Sequence, residues 1–284
     1  MLCFEDFEGE KPAWCPGCGN FAILNMLKRA LVELELSSHR LAIVSGLGQN
    51  GKLPHYLKCH AFSGLHGRAL PLAAGLKLAN QGLTVLAVAG DGDGYGHGGN
   101  HLIHAIRRDL DLTLLVHNNQ IQGLTGGQTS PTSRPGVRTR AQPLGSPGAQ
   151  LNPLTLAISQ DCGFVARAFA GGPGLAPLKE ILKQAINHPG FAMVDILQNC
   201  VSFNRENTFH WYKERNYPLE AGYDPSDRIQ AFARSLEWGD RIPTGIFYRR
   251  TQKGPEQGPK PDREPLIHQV FDPEKARRTI AEFY

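Results

Sequence analysis

The sequence predicts an α/β protein built on a doubly wound parallel sheet with an extended C-terminal arm, and three observations predict it. Short, continuous apolar runs end on glycine or polar residues, as strands buried on both faces do. Stretches with apolar residues at helical spacing stand between those runs. The alternation of the two continues along the chain without an internal repeat, which is the order a parallel sheet with crossover helices requires.

The first helical stretch is "NFAILNMLKRALVEL", with Asn20 read as its N-cap. "LAIVSG", Leu41 to Gly46, is the first strand, stopped by glycine. "RALPLAAGLKLAN" is helical despite Pro71, and "LTVLAVAGDGD" is the next strand with its glycine turn. "GNHLIHAIRRDL" then forms a helix and "LTLLVHNN" a third strand. Further on, "NPLTLAISQDCG" and "GLAPLKEILKQAINHPG" are helices that alternate with the strands "FVARAFA" and "FAMVDILQNC". The segment from Gln120 to Gln150 is rich in Gly, Thr, Ser, Pro and Gln, and so long a connection inside a compact domain is usually functional or disordered. Beyond Asp240 the chain turns Pro- and charge-rich ("RRTQKGPEQGPKPDREP"), as an arm against a partner or a mobile tail would be. Three parts follow: residues 1–40 with the first helix, the α/β domain of residues 41–203, and a C-terminal extension over 204–284 that meets a partner.

A chain of 284 residues can bury a sizeable core, and its formal charge of +4 is spread out. Nucleic acid and membrane are therefore not indicated as main partners. No apolar run reaches ~18 residues. The N-terminal "MLCFEDFEGEKPAWC" lacks the basic and apolar regions of a signal peptide, so the chain reads as cytoplasmic. Six irregularly spaced cysteines fit thiols and metal ligands better than a disulfide framework.

The chemistry concentrates in "GDGDGYGHGGNHLIHAIRRDLDLTLLVHNNQ", Gly90 to Gln120. A carboxylate at the carboxyl end of one parallel strand lies beside the carboxyl end of its neighbour, where α/β sheets bind ligands. Glycines let backbone N–H groups approach a phosphate, and a helix starting near Gly98 offers its positive end. An Asp oxygen, an Asn oxygen and a backbone carbonyl are hard ligands suited to Mg²⁺ on a diphosphate. A lone GDG could equally be a tight turn whose Asp caps a helix; the "NN" that ends the following strand favours the metal clamp.

GDG followed by NN at this spacing resembles the thiamine diphosphate motif. With "AWCPGCGN", "SGLG…GKLPHY", "GLHGRALPLAAGLKLAN", "HNNQIQGLTGGQTSPT" and "LQNCVSFN" in the same order, the chain resembles the β subunits of 2-oxoacid:ferredoxin oxidoreductases over about Pro12 to Phe209. The resemblance implies the thiamine diphosphate-binding fold, with its pyrophosphate-type domain. It implies Mg²⁺ ligation by the side chains of Asp91 and Asn119 and by the carbonyl of Ile121. Gly46, His66, Gly90, Gly92, Asp93 and Gly94 would line the diphosphate and thiazolium. Lys52 falls where relatives carry a basic residue near the substrate, though a surface lysine is an equal reading. His66 could instead be a hydrogen-bonded structural histidine. Both are the candidate catalytic side chains.

The implied activity is oxidative decarboxylation of a 2-oxoacid to CO₂ and an acyl-CoA, with the cofactor as nucleophile and electrons leaving in single steps. The exit would be a 4Fe–4S cluster that passes electrons to ferredoxin, so residues 1–40 would be a cluster-binding segment. In "WCPGCG" two thiols three positions apart can face one centre, which alone is as compatible with zinc or redox chemistry. By resemblance Cys15, Cys18 and Cys200 are cluster ligands. The family's fourth cysteine belongs where this chain has Gln49. Either Cys59 substitutes, or the ligand is not a thiolate, or the cluster is altered or lost. Cys3 and Cys162 match no motif and read as free thiols.

Thiamine diphosphate enzymes also need a glutamate carried by a second α/β domain. One such domain fills this chain, so an α subunit must supply it, in an αβ or (αβ)₂ assembly. Gly126 stands where some relatives have lysine, and this resembles 2-oxoglutarate types more than pyruvate types. Gln122 replaces the commoner Tyr near the cofactor. A cluster-free thiamine diphosphate decarboxylase or synthase subunit would also accommodate Gln49. A non-enzymatic, zinc-dependent binding module would use the CxxC alone, and intact Asp91 and Asn119 speak against it.

Overall fold

The computed structural model describes residues 2–251, 268 and 270–283. After a 3₁₀ turn at Phe4–Phe7 come α1 (Asn20–Glu33), β1 (Leu41–Ser45), a 3₁₀ helix at Asn50–Tyr56, β2 (His60–Ser63), α2 (Ala69–Ala79) and β3 (Thr84–Gly90). A π-helical segment, Gly92–His97, leads into α3 (Gly99–Arg108) and β4 (Leu112–Asn118). A small hairpin, β5 (Ile121–Gln122) and β6 (Gln128–Thr129), precedes α4 (Pro153–Ser159), β7 (Phe164–Phe169), α5 (Leu175–Ile186) and β8 (Phe191–Leu197). The chain closes with α6 (Phe209–Arg215), β9 (Asn216–Pro218), α7 (Arg228–Ser235), β10 (Ile242–Arg249) and α8 (Pro273–Ala281).

One sheet runs in the order β2-β1-β3-β4-β8-β7-β10-β9, and every pairing is parallel except β7 with β10. The five strands expected from apolar runs are β1, β3, β4, β7 and β8. They form its contiguous centre because helices cover them on both faces. Side chains alternate: Leu115 of β4 faces the layer built with α1 and α5, while Leu114 and Val116 face the layer of α2, α3, α4 and α7. Burying one such Leu contributes roughly 1.5–3 kcal/mol.

The order of β4, β8 and β7 positions the site. The chain passes from β4 to β7 and then returns to place β8 between them, so the carboxyl ends of β3, β4 and β8 lie side by side. Gly90 pairs with His117, and Asn118 with Leu197. Such a reversal opens a crevice at the carboxyl edge.

Two local expectations change. Gly19, not Asn20, is the N-cap of α1, and the Asn20 side chain instead turns inward to His117 Nδ1 at 2.8 Å. Ile242–Arg249, expected in the arm, is a sheet strand: β7 would otherwise have an open edge, and Ile242 and Phe247 are fully buried. From residue 252 to 265 the Pro- and charge-rich stretch lies outside the described residues.

Candidate functional site

A cleft of about 950 Å³ opens at the carboxyl edge of β3, β4 and β8 and brings together residues from Trp14 to Phe203. Cys15, Cys18, Gln49, His66, Gly90, Asp91, Gly92, Asp93, Asn119, Ile121 and Cys200 all line it. Gly46 and Gly94 lie behind this wall: a Cβ on Gly46 would stand 1.9 Å from Asp93 Oδ2, and one on Gly94 3.0 Å from Ala89 Cβ. Lys52 is half-buried on the 3₁₀ helix that begins at Asn50 and is not among the lining residues.

Asp91 follows β3 directly and is 2% exposed. Its Oδ2 accepts hydrogen bonds from Ser130 Oγ at 2.6 Å and Thr132 Oγ1 at 2.8 Å. Burial, partly offset by these hydroxyls, pushes Asp91 up to about 6, and the like charge of Asp195 adds to the rise. A buried carboxylate with no ion-pair partner among the described residues, beside hard oxygen donors, fits a divalent cation such as Mg²⁺. Between Asn119 and Ile121, Gln120 adopts a left-handed backbone at φ 58°. That turn folds Asn119 Oδ1 back onto the N–H of Ile121 at 3.1 Å and carries both residues to the cleft. A non-glycine residue held there costs of order 1 kcal/mol, and such strain gathers at functional sites.

Asp93 Oδ1 lies 2.6 Å from His66 Nδ1 and accepts the Gly67 N–H at 2.6 Å. With a carboxylate oxygen as acceptor, Nδ1 is the donating nitrogen of His66, which turns Nε2 away from Asp93. The His66 ring also stacks on His97, centroids 4.1 Å apart. His117 at the floor is driven down to about 3 by burial and is therefore neutral.

Beneath Asp91 runs a buried network. Thr132 Oγ1 also reaches Asn118 Oδ1 at 2.9 Å, and Asn118 Nδ2 donates to Asp195 Oδ1 at 2.9 Å. Tyr95 OH donates to the same oxygen at 2.9 Å, and Arg167 Nε stands 3.7 Å from Asp195 Oδ2. Arg167 lies over Trp238 and Phe247. Of these, Asn118 belongs to the "NN" of the sequence motif and Ser130 and Thr132 to the "SPT" that closes "HNNQIQGLTGGQTSPT", whereas Asp195 and Arg167 carry no motif signal of their own. The readable signal was a charge inside each of two buried strand runs, "FVARAFA" and "FAMVDILQNC".

Comparison with known proteins gives this geometry a family. Residues 41–196 match the thiamine pyrophosphate enzyme C-terminal TPP binding domain. Residues 200–258 match the C-terminal part of the pyruvate ferredoxin oxidoreductase β subunit. The 2-oxoacid:ferredoxin oxidoreductase β subunit of Saccharolobus solfataricus is 43% identical over 279 residues, covering 91% of this chain and 90% of that one. This chain belongs to the β subunits of 2-oxoacid:ferredoxin oxidoreductases. The 2-oxoglutarate oxidoreductase subunit KorB of Mycobacterium tuberculosis is 44% identical over 201 residues, 70% of this chain and 53% of that one. Among solved structures, the 2-oxoglutarate:ferredoxin oxidoreductase from Magnetococcus marinus, with 2-oxoglutarate, coenzyme A and succinyl-CoA bound, matches with a TM-score of 0.89. It is 35% identical, and the match covers 99% of this chain and 96% of that one.

The cysteines of this β subunit divide by place. Cys18 N–H bonds Cys15 O across the turn, with Gly17 left-handed at φ 82°. Asn199 Nδ2 donates to Gly17 O at 3.0 Å, which ties the turn to the segment bearing Cys200. Burial first, and then the neighbouring Cys200 and Cys15, push Cys18 up to about 11. Among the described residues no three His, Cys, Asp or Glu side chains are gathered tightly enough for one metal ion. A cubane binds each thiolate to a different iron, so its ligands stand wider apart than those of one ion, and three thiols on one wall fit it. Cys59 does not join them. It precedes β2 at the amino edge, level with Leu41, whereas Gln49 follows β1 at the carboxyl edge. The strand between spans roughly 15 Å. Cys59 packs on the core instead, where burial pushes it up to about 12.

No helix among the described residues is long and apolar enough to cross a membrane.

Proposed function

We propose that this β subunit binds thiamine diphosphate through Mg²⁺ and, with an α subunit, converts a 2-oxoacid and coenzyme A to an acyl-CoA and CO₂. Electrons leave through a 4Fe–4S cluster at Cys15, Cys18 and Cys200 to ferredoxin, and the reaction runs in either direction. The observation that carries this is Asp91, a buried carboxylate with no ion-pair partner among the described residues, set on a glycine wall beside Asn119 and Ile121. Bound there, thiamine diphosphate supplies the nucleophilic carbon and the electron sink for decarboxylation.

The chain's own residues do the rest. Asp91, Asn119 and the Ile121 carbonyl hold the metal, and Ser130 and Thr132 fix the Asp91 rotamer. Gly90 and Gly92 let Asn50 and Gln122 close in on the turn that would carry the diphosphate: a Cβ on either would meet Asn50 Oδ1 at 2.8 Å or Gln122 Cγ at 2.4 Å. Asp93 orients His66 so that Nε2 can take or return a proton at the cleft. Lys52, two residues along the 3₁₀ helix from the cleft-lining Asn50, adds positive charge near the substrate from outside the cleft wall. The names of relatives from Mycobacterium tuberculosis and Magnetococcus marinus favour 2-oxoglutarate, and Gly126 adds no cation of its own. The activating glutamate comes from the α subunit in an αβ or (αβ)₂ assembly of the cytoplasm.

The test is coexpression with an α subunit of the same family under anaerobic conditions. Reduction of ferredoxin should require 2-oxoglutarate, coenzyme A, thiamine diphosphate and Mg²⁺ together. Equal rates from the isolated β chain would overturn the shared site, and equal rates without thiamine diphosphate would overturn the whole reading.

A further inference from the structure

Gln49 lines the same wall as Cys15, Cys18 and Cys200, and its Oε1 is buried with no hydrogen-bond partner. A buried amide oxygen left without a donor costs about 1–3 kcal/mol, so this atom is placed for a ligand not made of protein. The Gln49 backbone is fixed by Trp14. Trp14 Nε1 donates to Gln49 O at 2.7 Å, and Trp14, next to Cys15, is wedged edge-on against Phe21 and Tyr56. The Cys15–Cys18 turn is in turn bonded through Gly17 to Asn199, next to Cys200. Three chain segments are thus stitched around one wall with three thiols and one amide oxygen. The other thiols are excluded. Cys59 lies at the opposite edge of the sheet, Cys162 is fully buried among apolar residues, and Cys3 is exposed and outside the cleft.

We propose that this subunit holds its cubane by three thiolates, with the fourth iron facing Gln49 Oε1 and therefore exchangeable. The inference rests on the reading of Cys15, Cys18 and Cys200 as cluster ligands. Thiolate is a far better match for cluster iron than a neutral amide oxygen, so the corner iron is held least. Removal of one electron by an outer-sphere oxidant such as ferricyanide takes the 4Fe–4S core from 2+ to 3+. The 3+ core then parts with one Fe²⁺ and leaves a 3Fe–4S core of charge 1+, ferrocyanide being the other product.

The experiment uses the anaerobically purified αβ complex, with iron and sulfide counts and EPR before and after stoichiometric ferricyanide. Expected is a fall in the iron-to-sulfide ratio from about 1 to about 0.75, with the near-isotropic signal of a 3Fe–4S core. Gln49→Cys should keep all its iron and show no such signal, while Cys59→Ser should behave as the unaltered protein. Retention of all four irons by the unaltered protein overturns the exchangeable corner while leaving the cluster assignment intact. Iron loss from Gln49→Cys equal to that of the unaltered protein also overturns it. Protein without iron and sulfide overturns the cluster reading itself.

Discussion

Replacing Asp91 by Asn removes a buried charge and keeps an oxygen to accept from Ser130 and Thr132. In the metal-free protein burial raises the Asp91 pKa from 3.8 to about 6. A carboxylate raised in this way adds stability only while protonated. That contribution is whole below 3.8 and is lost as the pH climbs through about 6. Above that window the ionised carboxylate costs the metal-free fold about 3 kcal/mol, falling to about 1 kcal/mol near pH 4.5. Asn loses the bond from the Gly92 N–H, roughly 1 kcal/mol, so Asp91→Asn should gain about 2 kcal/mol near pH 8. In a chain of this size that raises the melting temperature by roughly 4 °C. Calorimetry of the full metal-free chain near pH 8 and near pH 4.5 reads both values. Mg²⁺ should stabilise the unaltered protein with thiamine diphosphate and leave the variant unmoved. A stability difference independent of pH, or equal Mg²⁺ stabilisation of both proteins, would refute the reasoning.

Three other outcomes are expected. Arg167→Met strands Asp195 as a buried charge and should cost 3–5 kcal/mol or so in urea unfolding, with most of it recovered when Asp195→Asn is added. A loss unrelieved by the second change would mean the pair is not coupled. Gly46→Ala places a Cβ where Asp93 Oδ2 lies, so the carboxylate must move and His66 loses its orienting acceptor. The protected His66 Nδ1 proton should vanish from the NMR spectrum, and its persistence would show that the glycine is not needed. In cluster-free protein Cys15 should label readily with a disulfide reagent. Cys162, whose thiol burial pushes up to about 12, should label only on unfolding.

The centre of the fold was legible because its strands are continuous apolar runs closed by glycine or Asn. β10 was hidden by Pro243 and by Gly245, held at φ 143°, which interrupt its apolar pattern. β2 was hidden because all four of its residues are exposed and leave no burial pattern to read. At the site, Asp91 and Asn119 were legible as parts of contiguous motifs. Thr132, Asn118, Asp195 and Arg167 form a chain only across β4, β7, β8 and the Gln120–Gln150 connection, and no spacing in the sequence links them. The misplaced cap at Asn20 has the same origin: local propensity favoured it, but a tertiary bond to buried His117 claimed its side chain.

The stitched wall also sets an order of events during synthesis. Cys15 and Cys18 leave the ribosome early, while Cys200 follows Cys18 by 182 residues. At ~5–20 residues per second that is a delay of roughly ten to forty seconds. Throughout it a pair of closely spaced thiols waits without its third partner, open to oxidation to a disulfide. The β4–β8 pairing must then close before Asn199 can grip the waiting turn. On the proposed reading of these thiols, cluster insertion would be a late step that follows closure of the β4–β8 pairing, and the waiting thiols would have to stay reduced until then.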